Sequence, residues 1–363
     1  MIEQRLDRSK NLGARAAASK ETAPAAVSSR RCPSSRIAAV GSYLPPRELL
    51  SVDIERRLRV EAPPGWIEEI TGVRARRVAE PGTPGSELAA LAVLDMLDRS
   101  RWSLNDIDCI IVGSATADCI EPCTANMVQS RLGARGAAFD VGNACNGFLS
   151  ALQVADALVT TGQFGCVAVA CGESLAPFVP WHLAEASVDP LEYIGSITLG
   201  DGGGAALVVP SAGDGRGLLA SSFVTEGDMW EAAIIRSGGS RYPGASNGNW
   251  FTCQARPLYD AAYRLLPDMI EDVLGRAGWQ ADDVDLIVPH QVSISAVANI
   301  GCRFGWTVED AVFTLTDCGN TAAASMPMAL ARAAEQERLD AGSHVLMVGA
   351  AAGFSAGVTA LRW

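Results

Sequence analysis

Two stretches of this 363-residue chain are copies of one another. Residues 96–112 read MLDRSRWSLNDIDCIIV, and residues 273–289 read VLGRAGWQADDVDLIVP. At a fixed offset of 177 residues, Leu97 and Leu274, Arg99 and Arg276, Trp102 and Trp279, Asp106 and Asp283, Asp108 and Asp285, and Ile110 and Ile287 are identical pairs. In each copy a helix runs into an acidic turn and then into a buried strand. A second echo pairs Cys166-Val167-Ala168-Val169-Ala170 with His344-Val345-Leu346-Met347-Val348. Self-similarity at half the chain length means a duplicated domain. Around the copies, short β-branched strands alternate with longer helical patterns, which predicts an α/β fold. The expected plan is two pseudo-dyad-related halves, 36–211 and 212–363, with ligands where the strand ends of the two halves meet.

Residues 1–35 stand apart. They are rich in Ala, Ser, Arg and Lys, contain no aromatic residue, and precede the first apolar strand, Arg36-Ile37-Ala38-Ala39-Val40. That composition predicts a disordered tail. It has no signal-peptide apolar core, and Glu3, Asp7 and Glu21 weigh against a transit peptide.

The remainder has the makings of a large core, since 48% of the chain is hydrophobic and only 19% charged. No apolar run reaches the roughly 18 residues that span a bilayer, so a soluble, cytoplasmic protein without membrane insertion is expected. A formal charge of −12 argues against nucleic acid as a partner. It would also repel an acidic carrier protein, unless a local patch such as Arg74, Arg76 and Arg77 overrides the global sign. The ten cysteines are scattered, and Cys109, Cys166 and Cys171 lie within strand-like runs, which suits reduced thiols. Cys119 and Cys123 lack a second ligand pair, and only three histidines exist, so no metal is expected.

One cysteine has a chemical address. Ala137-Ala138-Phe139-Asp140-Val141 reads as a strand, and residues 147–159 read as a helix apolar nearly all round, so Cys145 falls at the junction. Unpaired N–H groups and the helix dipole there favour a thiolate and a lowered pKa, which suits covalent catalysis through a thioester. The alternative is a small buried core cysteine. In the second half, Val312–Thr316 followed by small residues up to Ser325 forms the corresponding strand and helix. On this reading Asn320 begins its helix near the point where Cys145 begins the other, and both face one pocket. Among the histidines, His182 lies in an irregular stretch and His344 opens a strand. His290 ends the strand Asp285–Pro289, at a position that points into a ligand crevice. A histidine satisfied by backbone at a strand end is the alternative.

Taken together, Cys145 in FDVGNACNGF, His290 in VPHQ, Asn320 in GNTAAAS, the loop LGDGGGAALVV (199–209) and the Gly-rich VGAAAGFSAG (348–357) resemble the thiolase superfamily. Within it they most resemble ketoacyl-ACP synthase III, over residues 36–363 with the motifs in order. The loop lacks the GK[ST] that a phosphate loop requires. The resemblance implies a duplicated αβαβα five-layer fold and an acyltransferase that works without a cofactor on acyl-CoA or acyl-carrier thioesters, usually as a homodimer. Cys145 would take the acyl group, with its own N–H and that of Gly353 forming the oxyanion hole. His290 and Asn320 would donate hydrogen bonds to the carbonyl of the second substrate in a Claisen condensation.

Two departures bear on the substrates. Trp66 resembles the family's tryptophan that stacks on the adenine of coenzyme A, but Ile70, Ser293 and Ser295 stand where the family carries residues that contact coenzyme A and carrier protein. A longer or carrier-bound acyl donor is therefore in view. In Ile120-Glu121-Pro122, Glu121 replaces a bulky apolar residue that closes the partner subunit's acyl pocket. There it resembles the glutamate of olefin-biosynthesis thiolases and α-pyrone-forming synthases, which removes an α-proton from a second chain without decarboxylation. A solvated loop residue is the alternative for Glu121. Decarboxylative condensation with malonyl-ACP, acyl transfer to an oxygen or nitrogen nucleophile, and a catalytically silent acyl-binding partner also remain open.

Overall fold

The computed structural model describes residues 35–58, 63–181, 193–243 and 250–363. The N-terminal tail before Ser35 and His182 lie outside the described residues. The strands run in chain order as β1 (Ser35–Tyr43), β2 (Glu48–Leu50), β3 (Ala75–Arg77), β4 (Cys109–Val112), β5 (Ala137–Asp140), β6 (Val167–Glu173) and β7 (Gly202–Pro210). They continue as β8 (Gly217–Thr225), β9 (Ala233–Ile235), β10 (Phe251–Cys253), β11 (Leu286–Pro289), β12 (His344–Ala351) and β13 (Ser355–Arg362).

Two sheets share one plan. The first has the order β1-β7-β6-β4-β5 and the second β8-β13-β12-β11, while β2 with β3 and β9 with β10 form small ribbons. In the first sheet β4 runs parallel to β5 and β6, and β7 lies antiparallel between β6 and β1. In the second, β11 runs parallel to β12, and β13 lies antiparallel between β12 and β8. The place of β5 is taken by a single parallel bridge from Ile287 to Ala311.

The repeated sequence makes repeated hydrogen bonds. Asp106 caps its turn by accepting from the Ser103 N–H at 2.8 Å, and Asp283 does the same for Gln280 at 2.7 Å. Asp108 accepts from the Cys166 N–H at 3.0 Å, and Asp285 from the His344 N–H at 2.8 Å. Each aspartate thus pins the start of one central strand to the start of its neighbour. His344 is spent on this frame, with its ring stacked on Trp279 at 4.2 Å.

Strand periodicity sorts the sheet residues into layers. Ile111, Val167, Val169 and Val208 of the first sheet, with Val288, Val345 and Met347 of the second, face a common core that also holds helices Gly147–Thr160 and Ser325–Glu335. The alternate residues of the first sheet, Ile110, Val112, Ala168 and Leu207, pack outward against Gly85–Asp98 and Thr124–Leu132. Ile287, Leu346, Val358 and Ala360 of the second pack against the 23-residue helix Ala255–Ala277. The result is the five-layer αβαβα architecture, with the two helices that follow Cys145 and Asn320 in its middle layer.

The described cysteines are all free. No group of His, Cys, Asp or Glu among the described residues is arranged to hold a metal ion. No helix among them is long and apolar enough to cross a membrane.

Candidate active site

Cys145 stands on a short 3-10 turn, Ala144–Asn146, wedged between β5 and the helix Gly147–Thr160. Ala144 takes φ 45°, a left-handed conformation uncommon for a residue with a side chain, and this bends the chain so that the next side chain stands clear. The turn is held from below. Asn146, fully buried, donates to the Ser355 carbonyl at 2.9 Å and to its hydroxyl at 3.2 Å, tying the turn to β13 of the other half.

The second half repeats the bend. Ala322 takes φ 43° at the head of the turn Ala322–Ala324, which leads into Ser325–Glu335. Matching the two bends places Ala323, not Asn320, opposite Cys145. Asn320 precedes the turn: its backbone N–H donates to Thr198 at 2.8 Å and its carbonyl accepts from Gly200 at 3.0 Å. The expectation that Asn320 begins the second helix was thus off by the length of the turn, because the small residues 322–324 form a separate 3-10 turn.

One apolar cavity of about 520 Å³ is lined by Cys145, His290 and Asn320 together. Aliphatic and aromatic residues make most of its wall, among them Phe251, Leu258, Leu266, Ile270, Trp306 and Phe354. Asn320 accepts from the Ala322 N–H at 3.0 Å through Oδ1, which leaves its amide NH₂ as the end available to a ligand. His290 is fixed through its backbone N–H to Val348 at 2.7 Å, and its Nδ1 lies 3.0 Å from the Ser325 hydroxyl. Burial lowers the imidazole pKa to about 4, so the ring is neutral at ordinary pH. In the tautomer with the proton on Nε2, Nδ1 accepts from the Ser325 hydroxyl and the ring is a neutral N–H donor.

The cysteine overturns one expectation. Its thiol is pushed up to about 12 rather than lowered, first by burial and then by the nearby Glu173 carboxyl and Cys253 thiol; only its own backbone N–H acts the other way. A helix terminus is worth about 0.3–1 kcal/mol on a charge, up to about 2 in favourable cases, whereas desolvation reaches about 3–5 units at full burial and stays large for a half-buried thiol set in an apolar cavity wall. Desolvation wins.

Other expected residues fall elsewhere. Gly353 lies in the turn between β12 and β13, flanked by Ala352 and Phe354, which line the cavity while Gly353 itself does not. Trp66 opens the short helix Trp66–Thr71 but packs into a core with Leu49, Ile54, Ile67 and Leu175; it is 6% exposed and outside the cavity wall. Its ring is the helix's anchor, and it offers little surface for stacking. Ile70, 48% exposed, and Ser295 line the cavity, as does Ser293, which caps Ile294–Gly301 by accepting from the Ala296 N–H at 3.1 Å. Glu121 is exposed, next to Ile120 at 79% exposure, and is not part of this chain's cavity. The stretch 199–209, expected as a loop, is mostly strand β7, and it is structural: Asp201 just before the strand accepts from Leu175, Ala176 and Ala79 N–H groups at 2.6, 3.0 and 2.8 Å.

Sequence reasoning passed over Ser325, Cys253 and Glu173. Ser325 had a signal, being the first polar residue after the alanines that follow Asn320. Glu173 had one too, a carboxylate ending the apolar run VAVACGE. Cys253, on the short strand Phe251–Cys253, had none.

Sequence models of the 3-oxoacyl-[acyl-carrier-protein (ACP)] synthase III family match residues 139–227, and those of its C-terminal part match residues 274–363. The beta-ketoacyl-[acyl-carrier-protein] synthase III of Symbiobacterium thermophilum is 33% identical over 90% of this chain and 97% of its own length. That of Xanthomonas campestris pv. campestris is 31% identical over 91% and 98%. Among solved structures, the Thermus thermophilus synthase III superposes with a TM-score of 0.81 at 31% identity, covering 90% of this chain and 99% of that one. OleA of Xanthomonas campestris, at 22% identity and a TM-score of 0.82 over 91% and 97%, shares the fold. The ordered motifs, the duplicated sheets and these likenesses converge: the chain belongs to the 3-oxoacyl-[acyl-carrier-protein] synthase III family of condensing acyltransferases.

Proposed function

We propose that the protein forms an acyl-enzyme thioester on Cys145 and condenses it with the α-carbon of a second acyl thioester. The observation that carries this reading is one apolar cavity lined together by the Cys145 thiol, a neutral imidazole and an oriented amide. Cys145 Sγ attacks the thioester carbonyl, and the departing thiol leaves with the proton that the cysteine gives up. The Cys145 N–H would hold the oxyanion, with the second donor supplied by the backbone of the β12–β13 turn at Gly353, whose neighbours Ala352 and Phe354 line the cavity. In the second half-reaction His290 and Asn320 donate to the carbonyl of the incoming thioester, stabilising its enolate. The α-carbon then bonds to the acyl carbon, the C–S bond breaks, and Cys145 is reprotonated.

The enolate needs a source. In our leading reading Glu121 of a second copy removes the α-proton, and the exposed Ile120–Glu121 loop is then covered on dimerisation. The apolar wall, with Ile70, Ser293 and Ser295 where the family has coenzyme A and carrier contacts, supports a long acyl chain. An acyl-carrier protein, after which the synthase III relatives are named, or coenzyme A would deliver it. The same reading divides the chain into halves at 36–211 and 212–363, each with its own sheet. A second reading needs only the groups inside this chain's cavity: a malonyl thioester loses carbon dioxide against the His290 and Asn320 donors, and no base is needed.

Intact-protein mass spectrometry after exposure to a panel of acyl thioesters tests the covalent step. One acyl mass should appear on the Cys145 peptide and vanish in Cys145→Ala. Acylation that persists in Cys145→Ala overturns the assignment.

A further inference from the structure

Glu173 ends β6 with no exposed surface, and no Lys, Arg or His pairs with it among the described residues. Its Oε1 accepts from the Ala115 N–H at 2.6 Å and its Oε2 from the Thr116 hydroxyl at 3.0 Å, in the loop that leaves β4. The Thr116 and Ala323 N–H groups also act on it. The same stretch is fastened again by the Gly172 N–H to Ser114 at 2.9 Å and the Gly113 N–H to Ala170 at 2.9 Å. Beyond Thr116 this loop leads to Glu121. On the other side, the turn Ala322–Ala324 packs against both β6 and the turn that carries Cys145. An uncompensated buried carboxyl is costly to a fold, and nothing in the condensation described above uses this one.

We propose that Glu173 is a positioning residue for Cys145: its carboxyl gathers the β4 loop and the Ala322–Ala324 turn around the sulfur, and its ionisation withholds the thiolate. The proposal rests on Cys145 being the nucleophile.

The electrostatics have a definite sign. Burial raises the Glu173 carboxyl to about 8, against the pull of its N–H and hydroxyl donors. Below that pH Glu173 is neutral and places no charge near the sulfur. Above it, an anion faces Cys145 in a low-dielectric site and makes the thiolate harder to form. The other titratable groups around the pair are Cys253, which lines the same cavity as Cys145, and Cys171 on β6. His290, which lines the same cavity, stays neutral down to about pH 4. Of these, Glu173 is the group that changes charge between pH 7 and 9. The alkaline side of Cys145 reactivity therefore reports on Glu173.

The test is peptide-resolved alkylation of Cys145 by iodoacetamide between pH 6 and 10, in wild type and Glu173→Gln. The amide keeps the shape and removes the charge. The rate ratio of variant to wild type should be near one at pH 6 and climb through pH 8 to roughly tenfold, the value for a coupling of one pKa unit. A ratio that stays flat across the range overturns the proposal, since a purely structural defect would move all pH values alike. Thr116→Val provides a second reading should the Gln variant misfold. Losing a donor to the ionised carboxyl should shift the wild-type inflection to higher pH, and an unmoved inflection also overturns the proposal. Alkylation is read without any acyl donor, so a climbing ratio stands even where no acyl-enzyme is found, and the two ideas fail separately.

Discussion

His290 owes its role to where its ring is buried rather than to its intrinsic basicity. In water an imidazole titrates near pH 6.5, so half its population would be cationic at that pH. In the cavity, burial holds it neutral to about pH 4. In an NMR titration, the His290 ring resonances should move with a midpoint near 4; a midpoint near 6.5 would contradict the neutral-donor assignment. The address of His290 was legible in sequence, because a histidine directly after an apolar strand of an α/β sheet faces the crevice. The state of Cys145 was not. Strand, turn and helix could be read from residue order, but the wall that desolvates the sulfur comes from Phe251, Cys253 and Phe354, far along the chain. A local dipole argument cannot see residues brought in from a hundred positions away.

At the scale of elements, the cysteine turn depends on how closely two backbones approach. A Cβ built on Gly147 would lie 1.8 Å from the Gly113 carbonyl oxygen, so the first turn of the helix sits directly on the end of β4. Gly147→Ala should cost about 4 kcal/mol or more in urea unfolding, or leave the protein insoluble. Gly142→Ala, where nothing lies within 4 Å, should stay within about 0.5 kcal/mol and serves as the control. A Gly147→Ala variant of near wild-type stability would show that the helix can lift away from β4. The repeated element 96–112 and 273–289 was the most legible part of the sequence, since its aspartates make the same two bonds in both copies. The 3-10 turns before the central helices were not legible. Runs of small residues carry no periodicity that separates a 3-10 turn from the first turn of an α-helix.

For the molecule as a whole, the question is whether a site is complete within one chain. Glu121 lies on the surface of this chain, while Cys145, His290 and Asn320 line its cavity. Cys145→Ala and Glu121→Ala proteins, each inactive in two-chain condensation, should regain about a quarter of the wild-type rate when refolded together: half of randomly paired dimers are mixed, and each mixed dimer holds one complete site. No recovery would place Glu121 within its own subunit's site, and an active Glu121→Ala protein would place it outside the reaction. The two-half plan of the sheets was legible because duplication leaves matching letters. The position of Glu121 relative to another copy was not, since contacts between chains leave no such repeat.

The paired bends at Ala144 and Ala322 carry a last consequence. The uncommon backbone geometry that presents the thiol is built twice, yet at the second place Ala323 has only a methyl group to present. The same bend therefore serves two ends: at the first place it presents the thiol, and at the second its Ala322 N–H orients the Asn320 amide. Alanine and cysteine differ by one sulfur atom, and at this point that atom alone marks which half presents the nucleophile, while the other half supplies His290 and Asn320 to the same cavity.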